Sequence, residues 1–594
     1  FPKIQQFSTD IDALFKNDNA IIPFTTKKGQ SARLAWDIVI PEGIGAVTYR
    51  VVAKAENFTD GEEMALPILT NRMLVTESMP LPSKGIGAKD FTFSKLINSN
   101  SSSTLKQHKL TLEYTSNPAW YAIQAMPYMM EYPYECAEQT FTRYYSNSLA
   151  SSIVNSSPKI KAVFDNWKQQ SPEAFMSNLE KNQELKSLLL QETPWVLNSQ
   201  DEGERKKRVA LLFDLNKMDN ERAKAMRKLQ KAQVANGGWS WFPGMPESRY
   251  ITQHIITGMG HLDNLGVKNV RKNAEVWKMI KKGVSYIDAR LVEDYEWTKK
   301  HYPNYMNEQH IGQLQIQYLY ARSYFMDLPI HNNVKEAFDY YQEQAKKHWM
   351  KFSIYTQGMI ALESHRFGIE KLPQQILASV KERSILHEEL GMYWKDNVGG
   401  YYWYQAPIET QALLIEAFDE VNNDETAVED MKVWLLKQKQ TTDWKTTKAT
   451  AEACYALLLR GTEFLTNDEM VEIKVAGKVI DPKALGAKVE AGTGYFKTSW
   501  SGNDIKPEMG NVTVTRKTKG VSWGAMYWQY FEDLDKITPH ETPLKLDKKL
   551  FLVKNTDSGP VITPITESTN LKPGDKVRVR MELRTDRDLE YVHM

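Results

Sequence analysis

Cys136 and Gln139 are the two residues whose types and spacing most directly indicate a reaction. They lie in residues 132–145, whose sequence is YPYECAEQTFTRYY. Pro133 is typical of a helix start, so we predict that Cys136 lies in or near the first helical turn. A spacing of three places the side chains of Cys136 and Gln139 on one helix face, with Cβ atoms roughly 5–6 Å apart. A cysteine sulfur beside a glutamine carboxamide can expel ammonia and leave an internal thioester, which is an acyl electrophile.

The thiol of Cys136 is expected to be a good nucleophile, because the dipole and the unpaired N–H groups of a helix start lower a thiol pKa. Most free cysteines are instead small buried hydrophobes. The second cysteine, Cys454, lies in the apolar stretch ACYALLL, has no acyl partner and is predicted to be core. Aromatic residues near Cys136 could exclude water from a thioester, although they are also ordinary core residues. They are Tyr132, Tyr134, Phe141, Tyr144 and Tyr145.

Residues 133–139, PYECAEQ, resemble the thioester signature of the alpha-2-macroglobulin and complement family. The family pattern is Gly-Cys-Gly-Glu-Gln in animals and a looser Cys-x-Glu-Gln in bacteria. Glu135 and Ala137 stand where the animal proteins have glycine, so the chain is most similar to the bacterial members. The resemblance implies that Cys136 and Gln139 form the thioester cross-link. The residues implied to surround it are Tyr134, Glu138 and Tyr144.

The composition is that of an ordinary soluble globular protein. Of the 594 residues, 42% are hydrophobic and 25% are charged, and a chain this long predicts about three to five domains. The 75 basic and 74 acidic residues give no argument for a nucleic-acid partner or an anionic membrane. The apolar runs are too short to span a bilayer. The chain starts at Phe1 and stops at Met594 soon after a strand-like pattern, so we expect a piece of a longer protein.

Two β-rich segments flank a helical block. Apolar residues alternate in both segments, which predicts half-buried antiparallel strands. Between them, residues 119–460 have helical periodicity. The block is therefore inserted between two β segments, which requires adjacent entry and exit points. The strands are predicted at residues 33–40, 47–53, 110–114, 471–475 and, as a hairpin through Gly520, from 512 to 528.

The helical block contains an internal repeat of a helix, a tight turn with an aromatic residue, and a second helix. Such helix pairs bury their faces only against neighbouring pairs. Pairs closed into a ring form an α/α toroid, and pairs in an open array form an α-solenoid. The spacing fits both. The turns contain residues 236–239, 393–403 and 443–444.

The repeats and the inserted block are also similar to the same family. The resemblance implies a multidomain α+β fold, in which an α/α-toroid thioester domain is inserted in a split antiparallel, CUB-like β domain. Incomplete macroglobulin-like β-sandwich domains would flank it. The implied domains are a partial macroglobulin-like domain at 1–65, the split β domain at 66–117 and 463–536, the toroid at 118–462, and a truncated macroglobulin-like domain at 537–594.

The resemblance further implies that the whole protein is a broad-spectrum protease inhibitor of the periplasm or cell surface. A protease would cut a bait segment, which is not in this chain, and would then be acylated through a lysine or hydroxyl nucleophile. The reaction runs once per molecule, so the protein would not be a turnover enzyme. We expect a monomer with no cofactor, no nucleic-acid partner and no membrane span in this chain.

Other functions stay open at this stage. One is a non-inhibitory binding or surface-architecture protein of the same fold with an inert Cys136. Another is a toroid enzyme acting on glycans or lipids, which would need carboxylates converging in a cleft. His254 is a candidate for the acyl-transfer histidine of some family members, although a satisfied helix histidine is the commoner case. The eleven histidines are scattered, with no His-Glu-x-x-His or Cys-x-x-Cys, so no metal site is predicted.

Overall fold

The computed structural model describes residues 11–41, 44–68, 71–169, 215–388, 390–439, 443–459, 465, 470–538, 544–556, 559–572 and 574–585. The chain divides into two compact units. The first contains residues up to 75 together with 104–106 and 531–538, and the second contains the remainder. The predicted boundary at 462–463 lies outside the described residues. The four predicted domains, one of them in two segments, stay predictions.

The described chain is a mixture of helices and small antiparallel sheets. The strands are β1 (Ala46–Ala55), β2 (Phe58–Pro67), β3 (Arg72–Pro80), β4 (Ser83–Lys84), β5 (Gly87–Thr92), β6 (Lys106–Thr115), β7 (Trp239–Ser240), β8 (Glu247–Ser248), β9 (Ile385–His387), β10 (Gly391–Tyr393), β11 (Glu472–Val475), β12 (Lys478–Val479), β13 (Phe496–Ser501), β14 (Asn511–Arg516), β15 (Val521–Asp533), β16 (Lys545–Thr556), β17 (Gly559–Pro564) and β18 (Lys576–Arg584). The helices are α1 (Ser94–Ile97), α2 (Trp120–Glu131), α3 (Ala137–Val154), α4 (Pro158–Gln169), α5 (Leu215–Ala232), α6 (Arg249–Asn264), α7 (Asn269–Lys272), α8 (Ala274–His301), α9 (Gln313–Ser323), α10 (Asn332–His348), α11 (Ile354–Arg366), α12 (Leu372–Glu382), α13 (Pro407–Asn422), α14 (Glu425–Lys437) and α15 (Thr447–Leu458).

The first unit contains a long hairpin of β1 and β2, with Ala46 opposite Pro67 and Ala55 opposite Phe58. The strand predicted at 47–53 is thereby confirmed. The strand predicted at 33–40 is wrong, since these residues, all of them described, are not in a strand. The N–H of Val39 donates instead to the carbonyl of Phe15 at 2.8 Å. Alternation selects an apolar face, but it does not supply the neighbouring strand that a ladder needs.

Two antiparallel sheets of the second unit take strands from both sides of the helical block. The first has the order β12–β11–β14–β5, and the second has β13–β6–β15–β3 with β4 beside β15. Val512 of β14 lies opposite Phe91 of β5. Phe496 of β13 lies opposite Tyr114 of β6. The segments just before and after the block also meet directly, since the N–H of Val471 donates to Oγ of Ser116 at 3.3 Å.

The hairpin predicted from residue 512 through Gly520 is wrong. β14 and β15 belong to different sheets, so residues 517–520 carry the chain from one sheet to the other. The buried guanidinium of Arg516 donates to the carbonyls of Thr518 and Lys519, at 3.3 and 3.0 Å, and so holds this connection. A glycine after a strand indicates a turn, but it does not indicate which sheet the next strand joins.

Six helices of the block pack side by side in a closed cycle. Contacts run from α3 to α6, α9, α11, α13 and α15, and α15 returns to α3. Each helix of the cycle also packs against a second helix, in the pairs α3–α5, α6–α8, α9–α10, α11–α12, α13–α14 and α15–α2. Residues 251–262 of α6 and 408–418 of α13 are buried without interruption, so these two helices are enclosed on all sides.

The predicted repeat corresponds to a recurring contact between the two sets of helices. In each repeat, a buried tryptophan in the turn donates its indole N–H to a carbonyl in the last turn of a partner helix. The turn thereby fixes the start of the next cycle helix against the preceding pair. Trp239, Trp394 and Trp444 donate to Leu229, Val380 and Leu435 at 2.9, 2.8 and 2.7 Å.

A buried ion pair lies among the helices of the cycle. The carboxylate of Glu416 in α13 is fully buried and accepts hydrogen bonds from the hydroxyls of Tyr320, Tyr324 and Tyr455. The guanidinium of Arg366 in α11 donates to Glu416 at 2.8 Å. Four helices, α9, α11, α13 and α15, are therefore connected through one carboxylate.

The last described strands form a separate three-stranded sheet of order β17–β16–β18. Lys545 of β16 lies opposite Arg584 of β18, and Phe551 lies opposite Pro564 of β17. The strand predicted at the final alternating pattern is thereby confirmed.

Candidate functional site

Cys136 is the N-cap residue of α3. Its backbone is extended, with φ −67° and ψ 167°, and α3 begins at the next residue. The predicted helix start at Pro133 is wrong, because Pro133 follows the end of α2 and residues 132–135 are not helical. The guanidinium of Arg143 holds this segment by donating to the carbonyl of Tyr132 at 2.6 Å.

The side chains of Cys136 and Gln139 contact each other's backbone reciprocally. The N–H of Gln139 donates to Sγ of Cys136 at 3.5 Å, and the N–H of Cys136 donates to Oε1 of Gln139 at 3.4 Å. This is the geometry of a capping box, in which both side chains fold over the same end of the helix. The thiol and the carboxamide therefore lie at the same end of α3, where a thioester between them could form.

The expected lowering of the Cys136 pKa is wrong in sign. Burial raises the pKa of this thiol, and the backbone N–H of Gln139 offsets that effect only in part. The side chain is 7% exposed, so the loss of water outweighs the helix start. A free Cys136 thiol at this position is therefore harder to ionise than an exposed cysteine.

Glu138 connects the two ends of the helix cycle. Its carboxylate accepts hydrogen bonds from Thr142 at 2.9 Å and from Thr447 at 3.0 Å, so it joins α3 to α15. Burial raises its pKa, and the hydrogen bonds from these threonines act in the opposite direction. Glu138, which directly precedes Gln139 in the motif, therefore belongs to the contact between α3 and α15 that closes the helix cycle.

The other predicted neighbours are divided between surface and core. Tyr134 is 67% exposed, so it does not form the buried aromatic wall that the sequence suggested. Tyr144 of α3 is fully buried in the hydrophobic core, and burial raises its pKa.

Cys454 is also fully buried, and its thiol, with a pKa raised by burial to about 12, donates to the carbonyl of Ala122 at 3.3 Å. It is core, as predicted.

The aromatic residues next to Cys136 come from distant parts of the chain. The carbonyl of Trp241 accepts the N–H of Ala137 at 2.9 Å, directly after Cys136. The Trp241 ring stacks on Tyr250 at 6.0 Å between centroids, and Tyr250 contacts Trp403 at 5.0 Å. These residues were not predicted to lie at the site. The signal that could have indicated them is the repeated turn, because Trp241 follows one such turn and Trp403 belongs to another.

His254 of α6 lies beside α3. Its ring meets Phe141 edge-on at 5.9 Å and stacks on Tyr250 at 6.4 Å. Burial, and secondarily the charge of Lys448, lowers the pKa of His254 to about 3, so the imidazole is neutral at physiological pH. Among the described residues its Nε2 has no hydrogen-bond partner. This nitrogen therefore lacks the hydrogen bond that is expected of a purely structural helix histidine.

Gly258 fixes how closely α6 approaches α3, and its replacement by alanine should destabilise the protein by about 1–3 kcal/mol. An added Cβ would lie 2.4 Å from Cε1 of Phe141, two residues after Gln139. Alanine has a higher helix propensity than glycine, so the substitution would stabilise α6 if there were no clash. A loss of stability would therefore be due to the clash with Phe141. Thermal unfolding measures it. Gly358→Ala is the matched control, because its Cβ would meet only leucine methyl groups at 3.1–3.2 Å; equal melting temperatures would contradict the prediction.

Neither a metal site nor a membrane-spanning helix is found in the part of the chain that the structure describes. The described residues contain no group of three or more histidine, cysteine or acidic side chains arranged to hold a metal ion. In that same part of the chain, each helix is too short or too polar to cross a membrane.

The chain matches neither a protein-family model nor a curated protein. Solved structures of bacterial alpha-2-macroglobulins do match it, and this is the family that the Cys136 motif resembles. Native Escherichia coli alpha-2-macroglobulin, from domain MG7 to its C-terminus, is 10% identical over 86% of this chain and 66% of that one, with a TM-score of 0.36. The E. coli protein activated by porcine elastase is 11% identical over 93% and 40%, with a TM-score of 0.41.

The Salmonella protein reacted with methylamine is 12% identical over 89% of this chain and 29% of that one, with a TM-score of 0.34. This chain thus spans 29–66% of the length of these three structures. Since every TM-score is below 0.5, these likenesses carry no argument for its function. The function has to be argued from the site itself.

Proposed function

We propose that this chain is the thioester-bearing part of a bacterial alpha-2-macroglobulin-like protease trap. The observation that carries the proposal is the reciprocal contact of Cys136 and Gln139 at the start of α3. A buried thiol held beside a carboxamide is the arrangement from which an internal thioester forms. A dry site also suits it, because water hydrolyses the product.

The finer architecture is part of the same proposal. The closed cycle of six helices, each backed by a partner helix, supports an α/α toroid rather than an open solenoid. The two sheets with strands from both sides of the block support a split β domain that carries the toroid as an insertion. In that arrangement Cys136 lies where the first helix of the cycle begins.

The bond-forming step balances within the two side chains. Sγ of Cys136 attacks the carboxamide carbon of Gln139, the new C–S bond replaces the C–N bond, and ammonia leaves with the thiol proton. A nucleophile on the target later attacks the same carbon and frees the Cys136 thiolate. With lysine the product is an amide, and with a hydroxyl it is an ester. The Cys136–Gln139 pair is consumed, so the reaction is a single event and not a turnover.

In the proposed whole protein, cleavage of a bait segment outside this chain exposes the thioester to the cleaving protease. Such a two-state switch keeps the electrophile buried until the target is in place. We propose an extracytoplasmic location, in the periplasm or at the cell surface, and a monomeric state. Proteases are the proposed partners, and no cofactor is needed for either step.

His254 is proposed as an acyl acceptor only in a subsidiary role. A neutral imidazole with an unpartnered Nε2 beside Phe141 supports the idea that it takes the acyl group and passes it to hydroxyls. If it does not, amines remain the preferred nucleophiles.

The alternative of a toroid enzyme for glycans or lipids has less support. Glu416, a carboxylate among the helices of the cycle, is fully buried and bonded to three tyrosines and Arg366. It has no solvent access, so a substrate could not reach it. A binding protein with an inert Cys136 remains the second candidate, and it shares the fold.

The intact mass of freshly purified protein, measured before and after methylamine, tests the proposal. We expect a mass short by one ammonia, then uptake of one methylamine with release of one titratable thiol. A full mass with glutamate at position 139 in a peptide map would show a thioester that has hydrolysed. A full mass with an intact Gln139 would contradict the proposal and favour the binding protein.

A further inference from the structure

Lys448 occupies an unusual place for a lysine. It is the second residue of α15, and its side chain is only 16% exposed. Its Nζ lies 6.0 Å from the centroid of the Tyr250 ring and 5.9 Å from that of Trp403. Oε1 of Glu409 lies 3.7 Å from the same Nζ. The two ring centroids are 5.0 Å apart, so the ammonium lies over both rings from one side, within the range of a cation–π attraction to each.

The two rings that contact Lys448 belong to the aromatic layer next to Cys136. Trp241, Tyr250 and Trp403 follow one another in this layer, and Tyr355 meets Trp403 edge-on at 6.2 Å. The layer reaches the thiol through backbone, because the Trp241 carbonyl accepts the N–H of Ala137. Trp241 and Trp403 lie in two separate connections, so each needs an anchor in the helix cycle.

We propose that Lys448 is a positioning residue, which holds the aromatic layer of Trp241, Tyr250 and Trp403 closed over the Cys136–Gln139 thioester. The inference rests on the proposed function, since it assigns a role in protecting that bond. The neighbours of Lys448 given above are Glu409, Tyr250 and Trp403, and neither reacting side chain is among them. It acts through the rings, by fixing Tyr250 of α6 and Trp403 of the 399–405 connection to the start of α15.

The charge state of Lys448 agrees with an anchor rather than a nucleophile. Burial by itself would lower its pKa, but Tyr355, Tyr250, Glu409 and Glu452 together raise the pKa well above its usual range. The group therefore stays an ammonium, which has no lone pair to attack a neighbouring acyl carbon. The amine is thus kept unreactive by the same surroundings that make it an anchor.

The first test compares how fast methylamine consumes the thioester in three proteins. Lys448→Met keeps an unbranched side chain one atom shorter and removes the charge, and we expect it to shorten the half-life roughly tenfold, since it loses two cation–π contacts. Lys448→Arg keeps the cation and should stay near wild type. Lys439→Met is the matched control, because Lys439 also lies over two rings, Tyr121 and Trp444, which are outside the layer. It should leave the half-life unchanged.

A second measurement separates positioning from a general structural role. In Lys448→Ala, added tetramethylammonium should occupy the space that the ammonium leaves over the two rings and lengthen the half-life towards wild type. This cation has no nucleophilic nitrogen, so it cannot attack the thioester itself. The proposal would be overturned if Lys448→Met had the same half-life as wild type. It would also be overturned if Lys448→Arg shortened the half-life as much as Lys448→Met does. Failure of tetramethylammonium to change the half-life of Lys448→Ala would overturn it too.

Hydrogen exchange keeps this inference distinct from the proposed function. In a Cys136→Ala background, which has no thioester, Lys448→Met should speed amide exchange in residues 237–248 and 399–405, and Lys439→Met should not. Unchanged exchange would overturn the role of Lys448 whatever the state of the bond. If wild type shows no ammonia loss, the proposed function fails, and faster exchange in these two segments would still support Lys448 as the anchor of the layer.

Discussion

Replacing Cys136 with serine should abolish the uptake of methylamine completely. The hydroxyl of serine can still cap α3 by accepting the N–H of Gln139, so the local fold should be kept. Serine is a far weaker nucleophile than a thiol, however, and an ester at this position would be a far weaker acyl donor. The variant should show the full mass expected from its sequence, with an unmodified Gln139. Intact mass spectrometry and radiolabelled methylamine measure the two properties.

Cys454→Ala is the matched control for that experiment. Cys454 is fully buried and has the carbonyl of Ala122 as its partner, so its replacement removes a thiol without touching the Cys136–Gln139 pair. It should keep both the ammonia loss and the uptake of one methylamine. Uptake that survives in Cys136→Ser, or that disappears in Cys454→Ala, would place the reactive acyl group elsewhere and contradict the assignment of Cys136.

The pairing of Cys136 with Gln139 could be predicted from the sequence because it depends on local geometry. A spacing of three at a helix start brings the two side chains together whatever the rest of the fold does. The pKa of Cys136 could not be predicted in the same way. The helix start is local, but the burial that outweighs it comes from the packing of other segments around the thiol. The predicted sign was therefore wrong.

The aromatic surroundings show the same limit. The sequence placed a wall in the tyrosines nearest to Cys136, but Tyr134 is exposed, and the adjoining rings are Trp241, Tyr250 and Trp403. They reach the site because α6 and the connection before α13 meet α3 and α15 in the cycle. The strands show the same limit. Alternation of apolar residues located β1 and β6 correctly, but it did not indicate which sheet the strand after Gly520 joins.

The positions of all these groups depend on the helix cycle, which contains the buried ion pair of Arg366 and Glu416. Burial acts to raise the pKa of Glu416, but Arg366, followed by His261 and the tyrosine hydroxyls, holds the pKa below its usual range. Glu416 is therefore a carboxylate with no exposure to water. Arg366 also donates to Glu420 at 2.8 Å, so one guanidinium neutralises two acidic groups of α13.

Arg366→Met should lower the free energy of unfolding by about 3–5 kcal/mol, because it leaves the buried charge of Glu416 without a counter-ion. Chemical denaturation followed by far-ultraviolet circular dichroism, which reports the helices, measures the change. Lys335→Met is the matched control: Lys335 pairs with Asp339 on the surface of α10, where the side chains are 57% and 50% exposed. That pair should contribute no more than about 0.5 kcal/mol. Equal effects of the two substitutions would show that the Arg366–Glu416 pair is solvated in solution, and that the centre of the cycle is open rather than packed.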